Sequence, residues 1–204
     1  MARKLLLPLL ALAGLMIAGC GNYGKVEQGR AVAFNKEKAT VTIIADSNIT
    51  PKKPVYNVLP AHDYILPTDP AERGAEPSTG LRLRLDVEKK IISMYNPQTK
   101  AIEQLPFEVI ADQQNVDLRR RHPLVWDAPA RKAIKFPKVD KAKQTIEIYA
   151  QAQSRLTTIK LSEADFAKYK ENDWDGGDEV RIYYKEPGKA LRFMNITKTN
   201  IRAR

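Results

Sequence analysis

The chain has one cysteine, at position 20, and two histidines, at 62 and 122, in 204 residues. A lone thiol excludes an intramolecular disulfide, so the fold must hold by packing. Two isolated histidines and one cysteine cannot supply the close ligand set of a zinc site. No G-x-S-x-G turn is present, so the nucleophile elbow of a hydrolase is missing. The one long apolar run, Leu5 to Ala18, is short of the roughly 20 residues a spanning helix needs. No internal repeat and no β-α-β rhythm is visible, which argues against solenoids and doubly wound α/β folds. Acid is also in short supply. There are 34 Lys and Arg against 24 Asp and Glu, a formal charge of +10.

What is present begins at the N-terminus. Arg3 and Lys4 precede the apolar run, and Ile17-Ala18-Gly19 leads directly into Cys20. A basic start, a short apolar core and small residues at a cut form the layout of a secretory signal. With the cysteine directly after those small residues, the segment resembles a bacterial lipoprotein signal with its lipobox. Plain secretion and an uncleaved membrane helix are the other readings of the same residues. The resemblance implies a diacylglycerol thioether on the Cys20 sulfur and cleavage just before it. In many bacteria the new amine is acylated too, with chains such as palmitate. Each buried methylene is worth about 0.8 kcal/mol, so two or three chains anchor stably where one does not. Gly21 stands where the enteric sorting rule puts aspartate in inner-membrane lipoproteins. The resemblance therefore implies the outer membrane, facing the periplasm, in a host with two membranes.

Four regions are expected. Residues 1–19 are the signal peptide, 20–25 a lipidated tether, 26–198 a single β-rich domain, and 199–204 a tail. The part after residue 19 loses only Arg3 and Lys4 of the basic excess, so it carries +8 on 185 residues. That length supports one full core. Gly21 to Lys25 span at most about 17 Å, so the body is expected to sit close to its membrane.

Strand patterning fills most of the domain. Residues 29–34 and 39–46 flank a polar turn at Asn35-Lys36-Glu37-Lys38. Residues 47–79 carry six prolines and read as a long surface loop. In Leu81 to Glu88 apolar and charged residues alternate, with Leu81, Leu83, Leu85 and Val87 facing a core. Hairpins are expected around Asn96-Pro97-Gln98-Thr99, Asp140-Lys141-Ala142-Lys143 and Glu186-Pro187-Gly188-Lys189. Asp112 to Arg121 reads as a short helix ended by His122-Pro123. Glu163 to Lys170 is the stronger helix: Ser162 caps it, Asp165 completes a capping box, and Leu161 with Phe166 forms a hydrophobic staple. About ten strands and one or two short helices predict a mainly β fold, an antiparallel β-barrel or sandwich built from hairpins. Residues 156–197, a strand, a capped helix, Gly-Gly-Asp and a hairpin, resemble part of an OB-type barrel. The chain after the signal also resembles the bacterial lipoprotein families without assigned function.

Candidate chemistry is sparse. His62-Asp63 offers a base and an acid, but no nucleophile accompanies it. His122 follows three arginines, a poor setting for a proton or a metal cation. Asp173, Asp175, Asp178 and Glu179 surround a Gly-Gly turn and form a calcium candidate, although the spacing is not that of an EF-hand. The competing reading is turn geometry. Arg119, Arg120 and Arg121, with Arg82, Arg84, Arg181 and Arg192 on outward strand positions, would form an anion-binding face if they met. Tyr23, Tyr95, Tyr149, Tyr183 and Trp174 are candidates for a sugar platform, or for ordinary cross-strand packing.

No cofactor is expected, and nucleic acid is an unsuitable partner for an exported chain. The reading that follows is a non-enzymatic, membrane-anchored envelope lipoprotein, a binding or scaffold component of an envelope complex. The membrane is reached through lipid on Cys20. The alternative is a module that binds anionic glycan or lipid through a basic face.

Overall fold

In Val41-Thr42-Ile43-Ile44-Ala45 apolar residues stand on both parities, so a strand made from them must be covered on both faces. The computed structural model, which describes residues 23–48 and 54–199, covers it with sheets on one side and its own curvature on the other. The described residues form β1 (Lys25–Asn35), β2 (Thr40–Asp46), β3 (Tyr56–Ile65), β4 (Arg82–Asp86), β5 (Ile91–Asn96), β6 (Ala101–Pro106) and β7 (Glu108–Gln113). Then follow β8 (Trp126–Asp127), β9 (Lys132–Ala133), β10 (Lys138–Asp140), β11 (Thr145–Ala150), β12 (Arg155–Lys160), helix α1 (Glu163–Ala167), β13 (Glu179–Tyr184) and β14 (Ala190–Asn195). The expected signal with Cys20, the tether residues before Tyr23, and residues 200–204 of the expected tail lie outside the described residues.

The sheets are β14-β13-β1-β2-β3, β10-β11-β12-β7, β4-β5-β6 and the ribbon β8-β9. Their strand pairs are antiparallel. The fold is mainly β, as the patterning predicts. The main core lies between the sheets, with Val32, Ile44 and Tyr56 from the five-stranded sheet. Leu83, Ile92 and Met94 come from the three-stranded sheet, and Ile146, Ile148 and Ile159 from the four-stranded one. Ala31, Val41, Ile43, Tyr64, Val180, Ile182 and Phe193 fill a second cluster on the other face of the five-stranded sheet. Curvature covers that face. The Ile65 N–H donates to the Gly188 carbonyl at 2.9 Å, and one parallel bridge joins Ile65 to Lys189.

This seam leaves a partly closed sheet and no closed barrel among the described residues. The strands of this curled sheet do not coincide with those of the segment expected to resemble an OB-type barrel. They come from residues 25–65 and 179–195, with β4 to β12 inserted between them. Residues 156–197 are divided, since β12 pairs with β11 and β7 while β13 and β14 join β1.

Five hairpins turn by one device. Asn35, Asp86, Asn96, Asp127 and Asp140 each accept, through a side-chain oxygen, the backbone N–H three residues on, at 2.8–3.3 Å. The next residue, Ala39, Lys90, Lys100, Arg131 or Gln144, adopts a left-handed φ of 47–55°. The short acceptor closes the turn, and the left-handed residue returns the chain to the partner strand.

Three local expectations need correction. The proline-rich segment 47–79 is not all loop, because β3 runs through it and Pro60 lies inside the strand. An edge strand tolerates proline because one side needs no ladder donor, and β3 is the edge of its sheet. Asp112 to Arg121 is not a helix. Asp112 belongs to β7, opposite Thr157 of β12, and residues 118–121 form a turn. The pairing outweighs the weak helical pattern because Arg155 grips Asp112 with two hydrogen bonds of 2.7 Å and Thr157 adds a third at 3.1 Å. Finally, α1 is shorter than expected and ends at Ala167. The Ser162 cap is as predicted, with Oγ accepting the Asp165 N–H at 3.1 Å, but the Asp165 carboxylate takes the Ser162 hydroxyl at 2.8 Å and does not complete the capping box. Among the described residues no helix is long and apolar enough to cross a membrane.

The Asp112 contact gives a pH prediction. The Arg155 hydrogen bonds hold this carboxyl below the ordinary carboxylate range, with Thr157 assisting. A depressed folded value means that the stabilisation is complete above the unfolded value, about 3.9, and is lost as pH falls through the folded one. Wild type should therefore lose more stability between pH 4 and pH 2 than Asp112→Asn, and be the more stable at pH 7. Urea unfolding at each pH checks this; parallel pH profiles would contradict it.

Candidate functional site

The acidic turn is built by arginine. Arg30 Nη1 donates to the Gly176 and Gly177 carbonyls at 2.7 and 3.1 Å, and Arg82 Nε donates to the Trp174 carbonyl at 3.0 Å. Burial pulls the Arg82 guanidinium down to about 10, and the Arg30 charge adds to this while Asp175 opposes it. Arg82 is thus not an outward, solvated residue as its parity suggested. Half-buried, it turns into the seam between sheets, where the Trp174 carbonyl accepts its Nε–H.

The calcium candidate fails for a related reason. Asp173 Oδ2 accepts the Lys170 N–H at 2.7 Å, while Asp178 Oδ2 accepts from Ser78 N–H and Asn195 Nδ2 at 2.7 and 2.8 Å. Glu179 accepts from the Gln28 amide. The carboxylates serve separate backbone and side-chain donors. Among the described residues no three Asp, Glu, His or Cys side chains converge on a metal position.

His62 pairs with a carboxylate that sequence reading missed. Its Nδ1 lies 2.9 Å from Glu27 Oε2, which also accepts from the Tyr64 hydroxyl at 2.6 Å. Desolvation, with help from Glu27 and Tyr184, pushes the Tyr64 hydroxyl upward. The Tyr64 and Tyr184 rings lie 5.2 Å apart. Among the described residues no serine, threonine or cysteine is bonded to His62, so the cluster has an acid, a base and a phenol without a nucleophile. His122 Nδ1 accepts the Leu124 N–H at 3.3 Å and shapes its own turn.

The arginines do not form one face. Arg84 pairs with Asp86, while Arg119 and Arg120 flank Asp117 on an exposed turn. Arg121 lies over the Trp126 ring, 5.3 Å from its centroid. Arg181 and Arg192 do come together, on the outer side of β13 and β14. The aromatic candidates also divide. Trp174 and Tyr95 are buried in the main core, and Tyr149 bonds Val116 and Leu118 backbone while packing on Phe136, so these three offer no open platform.

The site with both shape and chemistry is the groove around Arg181 and Arg192. It encloses about 680 Å³ and is lined by Val26, Glu72, Arg181, Tyr183, Leu191, Arg192 and Met194. Antiparallel register builds it: Val26 lies opposite Tyr183, Arg181 opposite Met194, and Tyr183 opposite Arg192. The Glu72 carbonyl accepts the Phe193 N–H at 2.9 Å, which brings the 72–74 segment alongside β14 as one wall. The floor is apolar, and Val26 and Leu191 are 62% and 46% exposed. Arg192 grips Glu72 through Nε and Nη2, holding that carboxyl below its usual range. Arg181 meets only the neutral Gln28 Oε1, at 2.8 and 3.2 Å. Among the described residues no carboxylate pairs with it.

Residues 22–204 match a family described as "Domain of unknown function (DUF4881)". The chain belongs to the DUF4881 family. No curated protein and no solved structure matches it. In this DUF4881 chain, parity pointed to Arg181, Tyr183 and Arg192. Val26, Glu72, Leu191 and Met194 carried no signal, because the groove exists only once β1, β13, β14 and the 72–74 segment, far apart in sequence, are side by side.

Proposed function

We propose that this DUF4881 chain is a lipid-anchored, non-enzymatic binding protein of the cell envelope, and that the arginine-rimmed groove is its contact surface. The observation that carries this is position. The groove begins at Val26, six residues after Cys20, and a chain of that length reaches at most about 21 Å. A ligand in the groove therefore lies near the bilayer that holds the anchor. The family match starts at residue 22, just past the cysteine, which fits a signal that is removed. Gly21 in place of aspartate favours the outer membrane in a two-membrane host.

A photo-cross-linking residue at Leu191, in living cells, tests this reading. The expected result is a defined adduct, lipid or protein, that the same residue at Lys132 on the β8–β9 ribbon does not give. Equal, diffuse labelling from both positions would overturn it.

A further inference from the structure

The groove continues into a larger patch at the start of β1. Lys25 pairs with Tyr184, beside the β13–β14 hairpin tip at Lys185 to Lys189. Ile65 bridges Lys189, two residues before Leu191. Of the six large apolar or aromatic side chains exposed among the described residues, four lie here: Tyr23, Val26, Ile65 and Leu191. Arg181, Lys185, Lys189 and Arg192 stand among them, while Lys25, opposite Tyr184, is on the other face of β1 from Val26. Glu72 and Glu186 pair with Arg192 and Lys189, and Glu179 and Arg181 share the Gln28 amide. Lys185 and Arg181 have no ion-pair partner among the described residues.

We propose that this patch docks on the anionic headgroup surface of the bilayer that carries the anchor. The inference rests on the lipid-anchor reading above and names the occupant of the same groove. Apolar side chains beside unpaired cations are what a headgroup surface selects. The former enter the acyl boundary, and Lys and Arg reach up to phosphate from their aliphatic stems. The anchor adds proximity, so each weak contact is made at high effective concentration.

The test uses the full lipidated protein in vesicles of phosphatidylcholine, with and without phosphatidylglycerol. Lipid blocks Cys20, so one introduced cysteine takes an environment-sensitive fluorophore. On phosphatidylglycerol vesicles, a label at Leu191→Cys should shift to the blue and be shielded from an aqueous quencher. A label at Lys132→Cys should stay accessible. Arg181→Gln should lower the shielded-to-accessible ratio about five-fold, and Lys185→Gln similarly, since each basic residue at such a surface is worth about that factor. Molar salt should have the same effect. If the protein floats with vesicles but Leu191 is as accessible as Lys132, the docking is overturned and the anchor stands. A Leu191 cross-link to protein in native membranes would then give the groove to a protein partner. If Cys20 takes the fluorophore and the protein does not float, the anchor reading is overturned and the docking with it.

Discussion

Trp174→Ala should lower the unfolding free energy by about 4 kcal/mol, near the upper range for emptying an aromatic site. Trp174 is fully buried. Phe166 stacks on its ring at 5.8 Å and Tyr169 tilts against it at 5.3 Å. It stands in the main core, where residues of all three larger sheets meet. Its carbonyl takes the Arg82 guanidinium, and the turn it opens leads into β13. Alanine therefore leaves a cavity at the junction of the sheets and loosens the turn that sets β13 against β1. Trp174→Phe separates these effects. The indole N–H has no acceptor, so phenylalanine loses volume without losing a hydrogen bond. It should cost about 1–2 kcal/mol. Denaturant titration followed by far-ultraviolet circular dichroism measures both variants. An alanine effect below about 1 kcal/mol would mean that the site collapses freely and does not hold the sheets together.

Cys20→Ser should remove the protein from the membrane fraction almost completely. Even one myristoyl chain gives only marginal membrane binding, and serine can carry no thioether lipid. The headgroup contacts of the patch act through a few exposed side chains and cannot replace two or three acyl chains. The serine variant carries a plain secretory signal in place of residues 1–19, since an uncleaved lipoprotein signal would itself hold the chain at the membrane, and wild type with its own signal is the reference. Fractionation of host cells with an antibody to the folded domain reads the loss. Retention of Cys20→Ser at wild-type level would mean that the cysteine is not the anchor.

The legibility of this chain follows from the range of its interactions. Local devices are written plainly. The Ser162 cap and the Asn35, Asn96 and Asp140 turns depend on residues within four positions, and each stands where the sequence places it. The same acceptor device stands at Asp86 and Asp127, where no turn was expected. Leu81 and Leu83 point inward as their alternation requires. What depends on distant partners was not legible. Arg82 has the parity of a solvated residue, but the 173–178 turn folds back over it. Pro60 marks a loop by composition, and only the sheet order reveals an edge strand. Glu27 looks like one more surface acid until curvature of the five-stranded sheet brings His62 and Tyr64 to it. The groove is the same case, assembled from residues 26, 72, 181–183 and 191–194 by pairing across a long insertion.

The most direct test of the central claim is the intact mass of the protein extracted from its own host's membranes. A lipid-anchored protein should give the mass of residues 20–204 plus a diacylglycerol thioether, with a further acyl chain where the host acylates the new amine. A mass that includes Met1, or one that starts after the signal with an unmodified Cys20 thiol, would contradict it.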